Sequence, residues 1–287
     1  MIYEISNGKL TAKITDIGAE LISVRDALGY EYIWNADENV WNGHAPILFP
    51  VCGRVKDGRI LKDGVEYPMT PHGFARDLRY ETVEKTDSSV TMRLKACRET
   101  RAMYPFDFEL TVRYELADTL RVSFNVKNTG SETLPYIIGW HPGFMLEDGI
   151  LPTDYRVVIG KASAERFSVL KGGMVSRESE DYALPGGEYR INEEELERED
   201  TIVLRGAGNE CTLTADGAKH RIVLRWSENL TYFCIWRKVG ADARYLCLEP
   251  WSGIPSDGSR PEDYATRDMN RLGSGSSEDF IFEVILE

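Results

Sequence analysis

The sequence predicts an all-β protein, a large antiparallel sandwich with few short helices. Three observations carry that expectation: apolar and polar residues alternate with period two along much of the chain, turn residues recur at short intervals between these stretches, and helical periodicity is scarce. Alternation of this kind marks strands with one face in a core and one in water.

The elements follow in order. Leu10 to Ile14 alternates, and Glu20 to Arg25 is a second extended stretch. Glu81 to Lys85 and Val90 to Leu94 flank a Thr-Asp-Ser-Ser turn, which reads as a hairpin. Phe106 to Tyr114 and Leu120 to Lys127 alternate cleanly, the second ending at Asn128-Thr129-Gly130. Arg156 to Ile159, Arg221 to Trp226, Tyr232 to Trp236 and Phe280 to Leu286 continue the pattern. Pro261 to Ala265 has Pro and acids placed as at a helix start. The acidic run Asn192 to Asp200 fits a turn of helix or a loop and is read as solvated surface. No linker rich in Pro, Ser or Gly divides the chain, so residues 1–287 are read as one domain.

A net charge of −13, from 34 basic and 47 acidic side chains, argues against nucleic acid or an anionic membrane surface as partner. A neutral small molecule fits better. The five cysteines stand singly, without a CxxC pair, and read as reduced thiols. Neither a signal-peptide pattern nor a membrane-length apolar run is legible, so the expected location is the cytoplasm.

Four histidines allow each to be weighed. His220 sits in a polar strand approach and reads as surface. His44, in Trp41-Asn42-Gly43-His44-Ala45-Pro46, fits either a structural loop or a pocket wall. His72, in Pro71-His72-Gly73-Phe74, and His141, in Trp140-His141-Pro142-Gly143-Phe144, lie between residues that constrain the backbone and let it approach a ligand. Glu249 ends the apolar stretch Tyr245-Leu246-Cys247-Leu248 before Pro250 and Trp251, where desolvation raises a carboxyl toward general-base range. Arg54, Arg59 and Arg76 follow in glycine-punctuated loops and suit hydroxyls, carboxylates or phosphates. Trp140 and Trp236 are the aromatic faces expected against a sugar ring. No GxGxxG, phosphate-loop, GxSxG or HExxH pattern is present. An iron site from His72, His141 and Glu249 can be written down, but no two of them share a short spacing.

In LFPVCGRVKDG (48–58), PHGFARD (71–77), YPFDFEL (104–110), GWHPGF (139–144) and LCLEPWSGIPSD (246–257), the chain resembles the aldose 1-epimerase (galactose mutarotase) family, and within it the LacX-like branch. The resemblance implies a galactose-mutarotase-like super-sandwich that exchanges sugar anomers without metal or redox cofactor. It implies Glu249 as base, His141 as acid and His72 as a hydrogen-bonding partner near the ring oxygen, with Arg54 and Arg76 toward substrate. Such chemistry calls for an ionised carboxylate beside a protonated imidazole near neutral pH. In characterised galactose mutarotases an aromatic/Asn segment follows the acid histidine; here Pro142-Gly143-Phe144 follows. Hexose-6-phosphate 1-epimerase activity and non-catalytic carbohydrate binding are the alternatives.

Overall fold

The period-two segments assemble into two large antiparallel sheets, in a computed structural model that describes residues 1–240 and 243–287. The Phe108–Leu116 strand shows why. Phe108, Leu110, Val112, Tyr114 and Leu116 are buried while the residues between them are half-exposed, and Leu120–Asn128 repeats this alternation beside it. A one-residue slip would turn both apolar rows to water, so the pattern fixes the register.

Nine strands form one sheet, running from Glu188–Arg190 at one edge to Glu81–Lys85 at the other. The second sheet has eight strands. Its order is Met174–Ala183, Ser163–Leu170, Ile202–Arg205, Tyr232–Trp236, Tyr245–Trp251, Gly139–Trp140 and Ile47–Leu48, with Gly143–Met145 also pairing Tyr245–Trp251. The N-terminal strands Ile2–Ser6, Leu10–Thr15 and Leu21–Asp26 make a separate three-stranded sheet. The main core lies between the large sheets. Trp226 stacks on Phe233 at 4.9 Å, and Trp140 meets Phe282 at 5.2 Å. Each such side chain contributes about 1.5–3 kcal/mol by leaving water.

Two local expectations change. Pro261 to Ala265 forms a bridge and turn, because Asp263 accepts from Ala265 and caps a turn instead of starting a helix. The acidic run does form a helix, Glu193–Glu199, with the Asn192 side chain accepting from the Glu195 amide. It is not wholly solvated: Glu195 and Leu196 are buried, and Arg166 pairs with Glu195 at 2.9 Å.

The Tyr245–Trp251 strand positions the site. Its residues are all buried, with Leu246 and Leu248 in the main core. Alternation turns Tyr245, Cys247 and Glu249 to the other face. There a second cluster gathers Trp34, Tyr245 and Cys247, with Trp41 and Trp236 packed against it.

Candidate active site

Register brings the acid and base candidates together. Gly139 pairs with Trp251 and Gly143 with Cys247, which puts His141 across from Glu249 on the neighbouring strand. The His141 Nε2 and Glu249 Oε2 atoms are 3.3 Å apart. The contact is not aligned as a hydrogen bond, and neither Glu249 oxygen nor His141 Nδ1 has a protein partner among the described residues. Buried polar groups are normally paired, so a cluster of unpaired ones facing a cleft marks a place built to receive polar atoms.

That cleft has a volume of about 440 Å³, in the range of small-molecule sites. His72, His141, Glu249, Arg54 and Arg76 all line it. Trp41, Trp236 and Trp251 supply its aromatic walls. Trp41 lies nearly parallel to the His141 ring at 5.2 Å, and Trp236 meets that ring edge-on at 5.5 Å. The Pro-Gly-Phe segment after His141 has a role here: a Cβ on Gly143 would sit 2.7 Å from the Trp41 ring.

His72 arrives on a loop zipped to the segment after Ile47–Leu48. Its amide donates to the Gly53 carbonyl, and its carbonyl accepts from the Phe49 amide. The backbone there is left-handed, with φ of 65° at His72 and 75° at Gly73. A Cβ on Gly73 would stand 2.0 Å from the Phe49 carbonyl oxygen, so only glycine fits. The Gly53 amide donates to His72 Nδ1 at 3.1 Å. That bond requires Nδ1 to be an acceptor and leaves the ring proton on Nε2. Burial, then the neighbouring His141, Arg76 and Arg54 charges, hold the His72 pKa well below its ordinary value. His72 is a neutral donor.

Burial also reverses the expected resting protonation of the pair. It pushes the Glu249 carboxyl well above the ordinary carboxylate range, with Asp200 adding to the shift and the Trp251 indole opposing it. It pushes the His141 imidazole down to about 3. Near neutral pH the His141 imidazole is therefore neutral at rest, and burial favours the protonated form of the Glu249 carboxyl beside it, which disfavours a resting ion pair. Two charges taken from water without enough hydrogen bonds cost more than their attraction returns.

Other expectations sort cleanly. Trp140 is wholly buried and donates from Nε1 to the Ala45 carbonyl at 3.1 Å. It does not line the cleft, because adjacent residues on a strand point to opposite faces and His141 takes the cleft side. Trp236 lines the cleft. Arg59 pairs with Glu66 at 2.7 Å, away from the cleft lining. His44 donates from Nδ1 to the Trp34 carbonyl, a structural role. His220 is half-buried, stacked on Tyr30 and bonded to the Tyr32 hydroxyl. Sequence reasoning missed Trp41, Asp200 and Thr201 as lining residues. Trp41 stands two residues before Gly43, a signal like that of the two site histidines, whereas Asp200 is hidden in the acidic run.

The sandwich and this cleft define a carbohydrate-epimerase class. The aldose 1-epimerase family profile matches residues 1–257, and the chain belongs to that family. It is 32% identical over 278 residues to the plasmid-encoded protein LacX of Lactococcus lactis subsp. lactis, covering 88% of each chain. The solved galactose mutarotase-like protein of Lactobacillus casei superposes with a TM-score of 0.92 at 29% identity, covering 100% of both chains. A galactose mutarotase related enzyme of Lactobacillus acidophilus gives 0.93 at 29%, covering 100% of this chain and 97% of the other.

Proposed function

We propose that this protein interconverts the α and β anomers of a hexose by opening and reclosing the hemiacetal ring. The observation that carries the reading is the buried His141–Glu249 contact at 3.3 Å on the cleft floor, with both carboxylate oxygens unpaired.

At rest the pair holds one proton, on Glu249. Sugar hydroxyls donating to the carboxylate oxygens stabilise the ionised form, and the proton crosses to His141. Glu249 then takes the proton of the C1 hydroxyl while His141 gives its own to the ring oxygen. The C1–O5 bond breaks and C1 becomes an aldehyde. Rotation about C1–C2 and reversal of the transfers closes the other anomer, and the enzyme returns to its starting state. His72, with its proton on Nε2, donates to a sugar oxygen and holds the ring in place. Each positioned proton transfer contributes on the order of 10²–10⁴-fold.

Polarimetry on freshly dissolved α-glucose and α-galactose tests the reading, with a panel that includes 6-phosphates. Mutarotation faster than buffer supports it. Buffer rates across the whole panel, with sugar bound, would favour a non-catalytic binding protein on the same sandwich.

A second reading, hexose-6-phosphate 1-epimerase activity, has its own observation. Beside the cleft mouth a hollow is lined by Arg54, Lys171 and Arg198, on either side of the Gly172-Gly173 turn. Asp200 also lines it and Arg198 pairs with Glu199 at 2.9 Å, whereas neither Arg54 nor Lys171 is in an ion pair among the described residues, in a chain of net charge −13. A kcat/KM higher for the 6-phosphate than for the free sugar, and reduced by salt, would select this reading.

A further inference from the structure

Cys247 stands two residues before Glu249 on the same strand face, and the proposed reaction does not use it. One ligand atom each from His141, Cys247 and Glu249 lies within 4.8 Å of the other two, and all three residues are buried. Ligand atoms around a tetrahedral zinc stand roughly 3.3–3.6 Å apart, given bonds of about 2.0–2.3 Å. The His141–Glu249 separation of 3.3 Å already matches, and the sulfur, within 4.8 Å of both, must close by up to about 1.2 Å. The second observation is independent of spacing: Glu249 is 1% exposed with both oxygens unpaired. A cation offsets the cost of ionising it there.

We propose that His141, Cys247 and Glu249 form a binding site for a thiophilic divalent cation of the zinc class, and that filling it shuts off the acid–base pair. A sulfur, an imidazole nitrogen and one carboxylate make a borderline-soft donor set, which suits zinc and is poor for magnesium or calcium. Three protein ligands leave the fourth position toward the cleft. On binding, the Cys247 thiol and the protonated Glu249 carboxyl each lose a proton to solvent, and no redox step is involved. With the Glu249 oxygen and the His141 nitrogen engaged, neither can exchange a proton with sugar. The inhibitory half rests on the proposed epimerase reading; the binding half does not.

The metal-free protein is titrated with Co²⁺ in the absence of sugar. The expected result is a sulfur-to-cobalt charge-transfer band in the near ultraviolet, saturating at one equivalent and displaced by Zn²⁺. Cys247→Ala removes that band and weakens binding at least about tenfold. Cys234→Ala keeps it, although Cys234 is the residue directly paired with Glu249 on the other side. A wild-type spectrum without the sulfur–cobalt band overturns the proposal and needs no variant. Survival of the band in Cys247→Ala also overturns it. In the activity arm, Zn²⁺ lowers the apparent kcat in proportion to site filling, because the metal-loaded protein cannot exchange protons with bound sugar. Exchange unaffected by Zn²⁺ at saturating cobalt-competing concentrations refutes the inhibitory half alone, and absent epimerase activity leaves the spectral result standing.

Discussion

Glu249→Gln should stabilise the protein increasingly as pH rises, while abolishing its activity. The wild-type carboxyl is 1% exposed and its pKa is raised by burial well above the ordinary carboxylate value, near 4.5. Above that value the unfolded chain has released this proton and the folded chain still holds it. The folded state binds the extra proton, so stability falls as pH rises until the folded pKa is passed. The slope is about 1.4 kcal/mol per pH unit. Glutamine carries no titrating proton and removes this slope. From pH 5 to pH 7 the variant should therefore gain up to about 2.7 kcal/mol relative to wild type, an increase of about 5 °C in Tm. Urea unfolding of both proteins at pH 5, 6 and 7 measures the difference directly, and the subtraction cancels groups that titrate alike in both. A difference that stays constant within about 0.5 kcal/mol across that range would refute the reasoning. It would mean that Glu249 ionises in the folded state at an ordinary pKa.

The same shift bears on catalysis: the one-proton pair is the competent form, so kcat/KM should fall as pH rises through the raised Glu249 pKa and that proton is lost, whereas a profile that instead rises with pH through about 4.5 contradicts the assigned protonation. Gly73→Ala forces a methyl toward the Phe49 carbonyl oxygen at a φ of 75° and should cost at least about 2 kcal/mol of stability while lowering kcat through His72. Trp140→Phe removes the donor to Ala45 in the core and should cost about 1–2 kcal/mol in urea unfolding without changing KM; a raised KM at full stability would return Trp140 to the cleft. Trp41→Ala removes the face over His141 and should lower kcat/KM about tenfold, read by initial rates at low sugar.

Much of the fold was legible because half-buried antiparallel strands write their period into the sequence. The strand Tyr232–Trp236 was read with its observed limits, and Phe106 to Tyr114 differs from Phe108–Leu116 only at its ends. The helix expected at Pro261 failed because its acids serve a side-chain-capped turn, a choice made by tertiary contacts such as the pairing of Leu61 with Asp263. Within the site, His72, His141, Glu249, Arg54 and Arg76 do share one cleft. Glycine and proline neighbours signalled the histidines, since a close approach needs particular backbone. Which way a side chain faces was harder. Trp140 and His141 are adjacent in sequence and diverge in space, and only strand register decides which one meets the cleft. Asp200 reaches the lining because Asn192 caps a helix that ends at it, a dependence invisible in a run of acids. The resting protonation was misjudged for a related reason. Residue types suggest an ion pair, but burial of both groups decides the charge.

The central claim is that Glu249, poised against His141, opens the sugar ring. Magnetisation exchange between the α and β anomeric protons, recorded by NMR with wild-type and Glu249→Gln protein at equal concentration, tests it most directly. The account predicts catalysed exchange in the wild type and a loss on the order of 10²–10⁴-fold in the folded variant. Exchange at the wild-type rate in Glu249→Gln would contradict it.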